Sequence, residues 1–238
     1  MWRRRQGSDV VLDGHAASGA AAVHRSISAP LRTVSDCHDA RHGDDHTAGH
    51  LMSFDPGPRI RNRIATERAI EAAAVSLVQV QGYAKTTARD IAQAAGTTER
   101  TFFRYCPAKV DAFRFGVQWV LEAAGWCIGG QPGFADLVSG VAQSLGWLER
   151  TRGHPRRHLM RVTETVDEDP VLSAAMSTRD AALVPDLRRT WAVDDPFAVP
   201  LTVLALRESL STCARVGETR LAQTFVVTCR RLAESVRH

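Results

Sequence analysis

The chain has 238 residues, of which 44% are apolar, and it can therefore bury a sizeable hydrophobic core. Its formal net charge is only +4, from 30 basic and 26 acidic side chains, and no uninterrupted apolar run is long enough to span a bilayer. The basic residues 3–5 are followed by Asp9 rather than by the apolar core of a secretory signal, which argues against export as well as against membrane insertion.

Apolar residues recur at helical spacing from Ile64 to the C-terminus, while alternating runs of β-branched residues are scarce. The sequence therefore predicts an all-α fold. The five cysteines are scattered and lack the spacing of a metal clip, so we expect a reduced cytoplasmic protein without metal or cofactor.

Residues 1–58 are rich in Ala, Gly, His, Ser and Asp and have little periodicity, which predicts a disordered N-terminal extension. Gly43 and Gly49 weaken any helix here, and no cysteine or carboxylate pattern would fix a metal geometry. We therefore predict no metal site, although four histidines repeat at the spacing of one helical face: His38, His42, His46 and His50. Met52 supports a separate hypothesis, since a natural protein starting there would have a short basic arm before its first helix.

A helix is predicted at about 61–81, because apolar residues there have helical spacing and Gly82 follows. This helix is the expected scaffold for the elements that come next. Three leading arginines either begin a solvated helix or form an arm that faces phosphate, and both interpretations stay open: Arg59, Arg61 and Arg63.

The next stretch is typical of two short helices joined by a glycine turn. Thr87 can cap the first helix together with Asp90, three residues later, and Gly96 can end it. Thr98 can cap a second helix over residues 99–105. This arrangement is the helix-turn-helix plan, in which the second helix lies in the major groove of DNA.

The second helix is expected to turn Phe102 inward and to project three side chains: Arg100, Phe103 and Arg104. Arginine matches the two acceptors of guanine, so Arg100 and Arg104 are candidates for base contacts, and Phe103 is a candidate for packing on a thymine methyl. Two alternatives remain open. Each arginine could hold a phosphate instead, and Phe103 could be a partly buried wedge between helices.

Positive charge is concentrated around this pair of helices. Residues 59–109 hold 9 basic and 4 acidic side chains, whereas the segments on either side carry a combined charge of −1. Such an excess is the electrostatic footprint expected of a DNA-contacting segment. Thr87 and Thr98 can offer hydroxyls and N-terminal amides to phosphate, which is compatible with their capping roles.

A dense set of residues between Arg61 and about Phe115 matches the pattern of one protein family: Gly82, Tyr83, Thr87, Asp90, Ile91, Ala92, Ala95, Gly96, Thr101, Phe102, Phe103, Tyr105, Pro107 and Lys109. On these residues the segment resembles the N-terminal domain of the tetracycline-repressor (TetR) family. The resemblance implies that Tyr105 and Lys109 clamp DNA phosphate. Two positions depart from the family pattern: Cys106 stands where a large aromatic residue is usual, and Ala108 stands where a capping serine is usual.

A linking helix is predicted from Lys109 to about Ile128, followed by helices between chain breakers near 133–151, 156–167, 170–192, 197–216 and 218–236. Pro185 is expected to kink or divide the helix at 170–192. The TetR resemblance implies that these helices form a C-terminal bundle, which dimerises through its last two helices and encloses a pocket for a small effector.

The last two helices are amphipathic, and this suits either a two-fold interface or core packing within one chain. Dimerisation is favoured because a single short recognition helix contacts too few bases for selective binding. Six large side chains are candidates to line the effector pocket, although ordinary core packing would explain any one of them better: Trp119, Trp126, Trp147, Trp191, Met160 and Met176.

A catalytic function has little support in the sequence. His154 and His158 have the spacing of two metal ligands on one helical face, but Pro155 lies between them and the glutamate of a zinc-protease helix is absent. No nucleophile elbow or phosphate loop occurs elsewhere, so we predict that the protein is not an enzyme.

These observations predict a disordered extension at 1–58, a helix-turn-helix DNA-binding domain at 59–108 and a helical effector-binding and dimerisation domain at 109–238. The expected function is that of a homodimeric transcription regulator, a repressor that a small-molecule effector releases from a palindromic operator in double-stranded DNA. The alternative is a ligand-binding or scaffolding helical module that binds no operator.

Overall fold

The computed structural model describes residues 58–151 and 154–235, and the regular elements in these two ranges are all helices. The predicted disordered extension, apart from Pro58, lies outside the described residues. The same holds for its histidines and for Met52. The first elements form the head, which we define as residues 58–113: α1 (Pro58–Gln81), α2 (Ala88–Ala94), α3 (Glu99–Tyr105) and a 3₁₀ helix (Lys109–Phe113).

The body comprises the described residues from 115 to 235. Its helices are α4 (Phe115–Cys127), α5 (Phe134–Arg150), α6 (His154–Glu168), α7 (Pro170–Thr190), α8 (Ala198–Val216) and α9 (Leu221–Ser235). The all-α prediction is confirmed. Most helix boundaries fall within about three residues of those predicted from breakers and caps.

The prediction of one continuous helix at 109–128 is wrong, because the chain leaves the 3₁₀ helix at Arg114 before α4 begins. The break follows from the side chains of Asp111 and Arg114, which contact Arg179 and Asp180 of α7. Oδ2 of Asp111 also accepts the backbone N–H of Ala108 at 2.9 Å. This is one half of a capping box, and the other half, in which a serine hydroxyl at position 108 would accept a backbone N–H, is missing. Both Asp111 and Arg114 are buried and point toward the body, which fixes the tight turn.

Pro185 does not divide its helix, since α7 runs without interruption from Pro170 to Thr190. A proline inside a helix leaves the carbonyl four residues earlier without a hydrogen-bond donor. Here Pro185 and Ala181 are both exposed, so water can reach that carbonyl. The helix therefore tolerates the proline on its solvent face.

The described residues form two apolar cores. One lies in the body and is built from α4, α5, α6, α8 and α9. The other lies under the head, where Phe102 and Phe113 are fully buried, but residues of α6 and α7 complete it: Val162, Val166, Leu172 and Met176. The head therefore does not close its core with its own residues alone.

Cys106 is part of the head core. It has no exposed surface, and burial raises the pKa of its thiol to about 12. A thiol reacts as the thiolate, so such a cysteine is inert at neutral pH. The structure therefore favours a packing role in the core for Cys106 over a role as a redox sensor.

A network of buried and partly buried charges joins the end of the head to the body. Arg179 of α7 forms two hydrogen bonds with the carboxylate of Asp111, at 2.6 and 3.0 Å, and Arg114 adds a third at 3.1 Å. Asp180 receives Arg207 of α8 at 2.6 Å and lies 3.8 Å from Arg114. Alternating charges thus link the 3₁₀ helix, α7 and α8.

Two further carboxylates bridge head and body. Asp169, the N-cap of α7, accepts the backbone N–H of Tyr83 at 2.7 Å. Glu71 of α1 is buried and accepts Nε2–H of His158 on α6 at 2.6 Å. These contacts hold α1 and the turn after it against α6 and α7.

Candidate nucleic-acid interface and ligand cavity

The caps predicted for α2 are present. The hydroxyl oxygen of Thr87 accepts the N–H of Asp90 at 3.1 Å, and the Asp90 carboxylate accepts the N–H of Thr87 at 2.9 Å. Hydrogen bonds to the Asp90 carboxylate, first from the side chain and then from the backbone N–H of Thr87, lower the pKa of Asp90. The helix ends as predicted at Gly96, whose φ of +66° lies in the left-handed region that favours glycine.

The second helix, α3, spans the predicted residues Glu99–Tyr105. Its N-cap Thr98 accepts the N–H of Thr101 at 3.1 Å, and Phe102 is fully buried beneath the helix. Phe103 is 47% exposed, and its ring meets that of Phe102 edge to face at a centroid distance of 5.4 Å. Local capping and one buried ring therefore fix which face of α3 points outward.

The exposed face of α3 carries the three predicted base-contacting side chains. Arg100 and Arg104 are exposed, four residues apart, with Phe103 beside them. Arg100 has no hydrogen-bond or ion-pair partner within the described residues. The guanidinium of Arg104 lies 5.0 Å from the centroid of the Tyr105 ring, a cation–π arrangement, and its Nη2 donates to the Tyr105 hydroxyl at 3.5 Å, which leaves its other N–H groups to donate to DNA.

The other basic side chains of the head differ in how they are engaged. Lys85 is exposed in the turn before α2. Arg89 of α2 lies 3.5 Å from Glu99 of α3, but both side chains are exposed, and such pairs contribute little to stability. Phosphate could displace Glu99 from Arg89 at small cost.

Lys109 lies largely within the head rather than projecting from it. Its ammonium donates hydrogen bonds to the carbonyls of Tyr83 and Thr86, each at 2.8 Å, and lies 3.8 Å from the centroid of the Tyr83 ring. Burial lowers its pKa. Lys109 therefore pins the turn between α1 and α2, a structural role that the sequence analysis missed because its partners are more than twenty residues away.

The other predicted phosphate contacts have different surroundings. Thr87 and Thr98 are exposed, and the Thr98 hydroxyl donates to that of Thr101 at 3.0 Å. Tyr105 is half-buried against the head core. The base and phosphate contacts assigned to these residues stay predictions.

A cavity of about 720 Å³ lies between α1 of the head and helices α4, α5 and α6 of the body. Two candidate pocket residues come together there: Trp119 and Trp147 have ring centroids 5.1 Å apart and are 41% and 47% exposed. The contact between Glu71 and His158 lies in the wall of the same cavity. Neither Glu71 nor His158 was predicted for this site from the sequence, because 87 positions separate them.

The other candidate pocket residues lie elsewhere. Trp126 is 85% exposed and, with the buried Trp191, lines a second cavity between α4 and α7. Met160 packs against the body core, and Met176 is buried in the head core. The structure therefore brings two of the six candidates together at the cavity beside α1.

Within the described residues no group of three or more His, Cys, Asp or Glu side chains is placed to hold a metal ion. None of the helices described is both long and apolar enough to cross a membrane.

Comparison with known proteins identifies the head. Residues 70–113 match the family model described as "Bacterial regulatory proteins, tetR family". The matched segment runs from the middle of α1 to the last residue of the 3₁₀ helix. It includes the capping box, the Gly96 turn and all of α3. A comparison with curated proteins finds no match.

Proposed function

We propose that this chain acts as a homodimeric repressor on a palindromic operator in double-stranded DNA, because residues 70–113 match the model of the tetR family of bacterial regulatory proteins, whose members are DNA-binding transcription regulators. A small-molecule effector would release it. The proposal extends the helix-turn-helix prediction to a specific regulatory cycle.

One observation carries the proposal: α3 is capped by Thr98, anchored by Phe102 and exposes Arg100, Phe103 and Arg104 on one face. Two arginines and an aromatic ring at this spacing suit the guanine acceptors and thymine methyls of a major groove. Neither arginine forms an ion pair with an acidic side chain among the described residues, so no acid competes with DNA for them.

A dimer is needed because α3 has only seven residues and can contact only a few base pairs. Two copies related by a two-fold axis would place their α3 helices in successive major grooves, about 34 Å apart. We assign the dimer contact to α8 and α9. Much of their apolar surface is used within the chain, including Leu206 and Phe225, but Leu204 and Val227 are 47% and 45% exposed.

Effector release would follow from a change in the distance between the two heads. An effector can favour release only by binding more tightly to the conformation in which the α3 helices no longer match successive grooves. The cavity beside α1 supports this proposal, since its walls belong to both head and body. A ligand there contacts both moving parts.

The test is the affinity of full-length protein for DNA from upstream of its own gene, measured by fluorescence anisotropy. Arg104→Ala should weaken binding about tenfold or more, because one arginine–guanine contact is worth about 1–3 kcal/mol. Arg150→Ala, at an exposed arginine that ends α5, is the matched control and should bind like wild type.

If Arg104→Ala and the control bind equally well, Arg104 does not contact bases. If neither variant nor wild type binds this DNA above the level of unrelated DNA, the alternative of a helical module without operator binding gains support. The repressor proposal would then have to be abandoned for this locus.

A further inference from the structure

The cavity beside α1 has an aromatic floor that is unusually exposed for such large side chains. Trp119 of α4 and Trp147 of α5 lie together with an interplanar angle of 41°, and each leaves more than two fifths of its surface uncovered. Neighbouring apolar side chains such as Leu148 and Leu159 extend this surface. A volume of about 720 Å³ is in the range of small-molecule sites, and a flat apolar group would cover the indole rings.

The acidic side chains of the cavity have hydrogen-bond partners, whereas three of its arginine side chains have none among the described residues. The acids have partners: Glu67 receives Arg63 at 2.7 Å, and Glu71 receives His158 at 2.6 Å. The side chains of three exposed arginines of the wall have neither a hydrogen-bond nor an ion-pair partner among the described residues: Arg68, Arg157 and Arg161. The cavity therefore offers unused positive charge next to its aromatic floor.

The placement of these arginines suits a single anionic group. Arg157 and Arg161 are four residues apart on α6 and thus lie on the same side of that helix, while Arg68 comes from α1. Guanidinium groups bind carboxylates through paired, charge-assisted hydrogen bonds. An uncharged ligand would leave this charge unused, and a cation would be repelled by it.

We propose that this cavity binds an organic anion with a flat apolar body, a hydrophobic aromatic carboxylate, with its ring against Trp119 and Trp147 and its carboxylate at Arg157 and Arg161. The identification of this ligand as the effector rests on the proposed function, whereas its binding does not.

The position of Glu71 gives the anion a route to the head. Glu71 belongs to α1, and its carboxylate is held by His158 of α6 within the same cavity. A second carboxylate bound in the cavity adds a negative charge beside Glu71 and repels it. Binding therefore loosens a contact between α1 and α6, which changes the position of the head relative to the body.

The binding test uses naphthoate as the probe, with naphthamide as its uncharged match and naphthylmethylamine as its cationic match, each titrated calorimetrically into full-length protein. Naphthoate should bind at least about tenfold more tightly than naphthamide, which corresponds to about 1.4 kcal/mol for the charge-assisted contacts. The amine should bind most weakly.

The double variant Arg157→Gln/Arg161→Gln should bring naphthoate to within about twofold of naphthamide and leave naphthamide itself unchanged. The matched control Arg150→Gln/Arg215→Gln replaces two exposed arginines of α5 and α8 and should leave both affinities unchanged. Equal binding of acid and amide by wild type, tightest binding of the amine, or equal losses in the two double variants would overturn the proposal.

DNA binding is measured separately, so that the two proposals can fail independently. Naphthoate should raise the apparent Kd of wild type for upstream DNA but not that of the Arg157/Arg161 variant. If naphthoate binds with the expected arginine dependence and leaves DNA affinity unchanged, the route through Glu71 is wrong. If the protein binds no upstream DNA while naphthoate binds as expected, the repressor proposal fails and the ligand class stands.

Discussion

Lys109 shows how a residue expected at the DNA surface can have a folding role of its own. Its ammonium satisfies two backbone carbonyls in the turn between α1 and α2, and that turn positions α2 and hence α3. The sequence resemblance assigns the same residue to a phosphate clamp. An ammonium has three N–H groups, so two internal bonds leave one for phosphate.

We expect Lys109→Met to lower the free energy of unfolding by about 1–3 kcal/mol, because the carbonyls of Tyr83 and Thr86 lose a partly buried donor. Urea denaturation followed by circular dichroism measures this change. Lys85→Met, at an exposed lysine in the same turn, is the control and should unfold like wild type. Equal stability of the two variants would show that Lys109 does not pin the turn.

Asp111 is the residue whose protonation should affect stability most directly. Burial by itself would raise its pKa, but hydrogen bonds from Arg179, from the Ala108 amide and from Arg114 outweigh burial, and the pKa lies below its usual value of 3.8. A carboxyl with a lower pKa in the folded state stabilises the fold above its unfolded pKa. This contribution is lost as the pH falls through the lower, folded value.

Asp111→Asn should therefore act in two ways. At pH 7 it should lower the free energy of unfolding by about 3–5 kcal/mol, since it leaves the buried Arg114 and the half-buried Arg179 without their anion. Below about pH 4 its stability should fall less steeply with pH than that of wild type. Urea midpoints across this range provide the measurement, with Asp167→Asn, at an exposed aspartate of α6, as the control. The same slope in wild type and Asp111→Asn would contradict the assignment.

At the scale of whole elements, the start of α7 does two things at once. Oδ1 of Asp169 accepts the N–H groups of Val171 and Leu172, each at 3.0 Å, while Oδ2 accepts the N–H of Tyr83 in the head. The hydrogen bond from Tyr83 is the largest of the causes that lower the pKa of Asp169. One carboxylate thus caps a body helix and holds a head turn.

Two substitutions should separate these roles. Asp169→Ser keeps a residue that caps helices well but is too short to reach Tyr83, whereas Asp169→Ala loses both contacts. We expect faster hydrogen exchange at the Tyr83 amide in both variants, and an additional loss of about 1 kcal/mol in unfolding free energy for alanine alone. An unchanged exchange rate at Tyr83 in both variants would refute the bridge.

The elements that were predicted most accurately are those whose ends are set by neighbouring residues. The start of α2 is fixed by Thr87 with Asp90, and the start of α3 by Thr98 with Thr101. In each pair the residues are three positions apart, so the local sequence is enough to predict where the helix begins. The prediction of one helix at 109–128 was wrong for the opposite reason. Its break at Arg114 depends on contacts with Arg179 and Asp180, which lie more than sixty residues away.

The candidate sites also differ in whether they depend on neighbouring or on distant residues. The outward face of α3 follows from helical spacing around Phe102, and the predicted exposure of Arg100, Phe103 and Arg104 is confirmed. No local pattern could bring Trp119 to Trp147 or Glu71 to His158, because those pairs form only when α1, α4, α5 and α6 pack together. The cavity could therefore be found only from the three-dimensional structure.

For the whole molecule, the proposed dimer depends on apolar side chains that one chain leaves uncovered. Leu204 of α8 and Val227 of α9 are exposed on neighbouring helices. The double variant Leu204→Glu/Val227→Glu should shift the protein from dimer to monomer, because four glutamates would meet in the two-fold interface. Sedimentation velocity measures the change.

Val80→Glu is the matched control, since Val80 is 86% exposed but lies on α1. It should leave the sedimentation coefficient at the wild-type value. A wild-type monomer at micromolar concentration, or a double variant that stays dimeric, would place the interface elsewhere or exclude it.

The core shared between head and body limits how this protein can be recombined with its relatives. Phe102 and Phe113 pack with Val162, Leu172 and Met176, so a graft that exchanged only residues 58–113 would combine one half of a packed core with the other half of a foreign one. A chimera that keeps the head core intact should carry α6 and the first part of α7 along with the head. The unit that can be exchanged intact is then larger than the segment that matches the family model, because side chains of α6 and α7 complete its core.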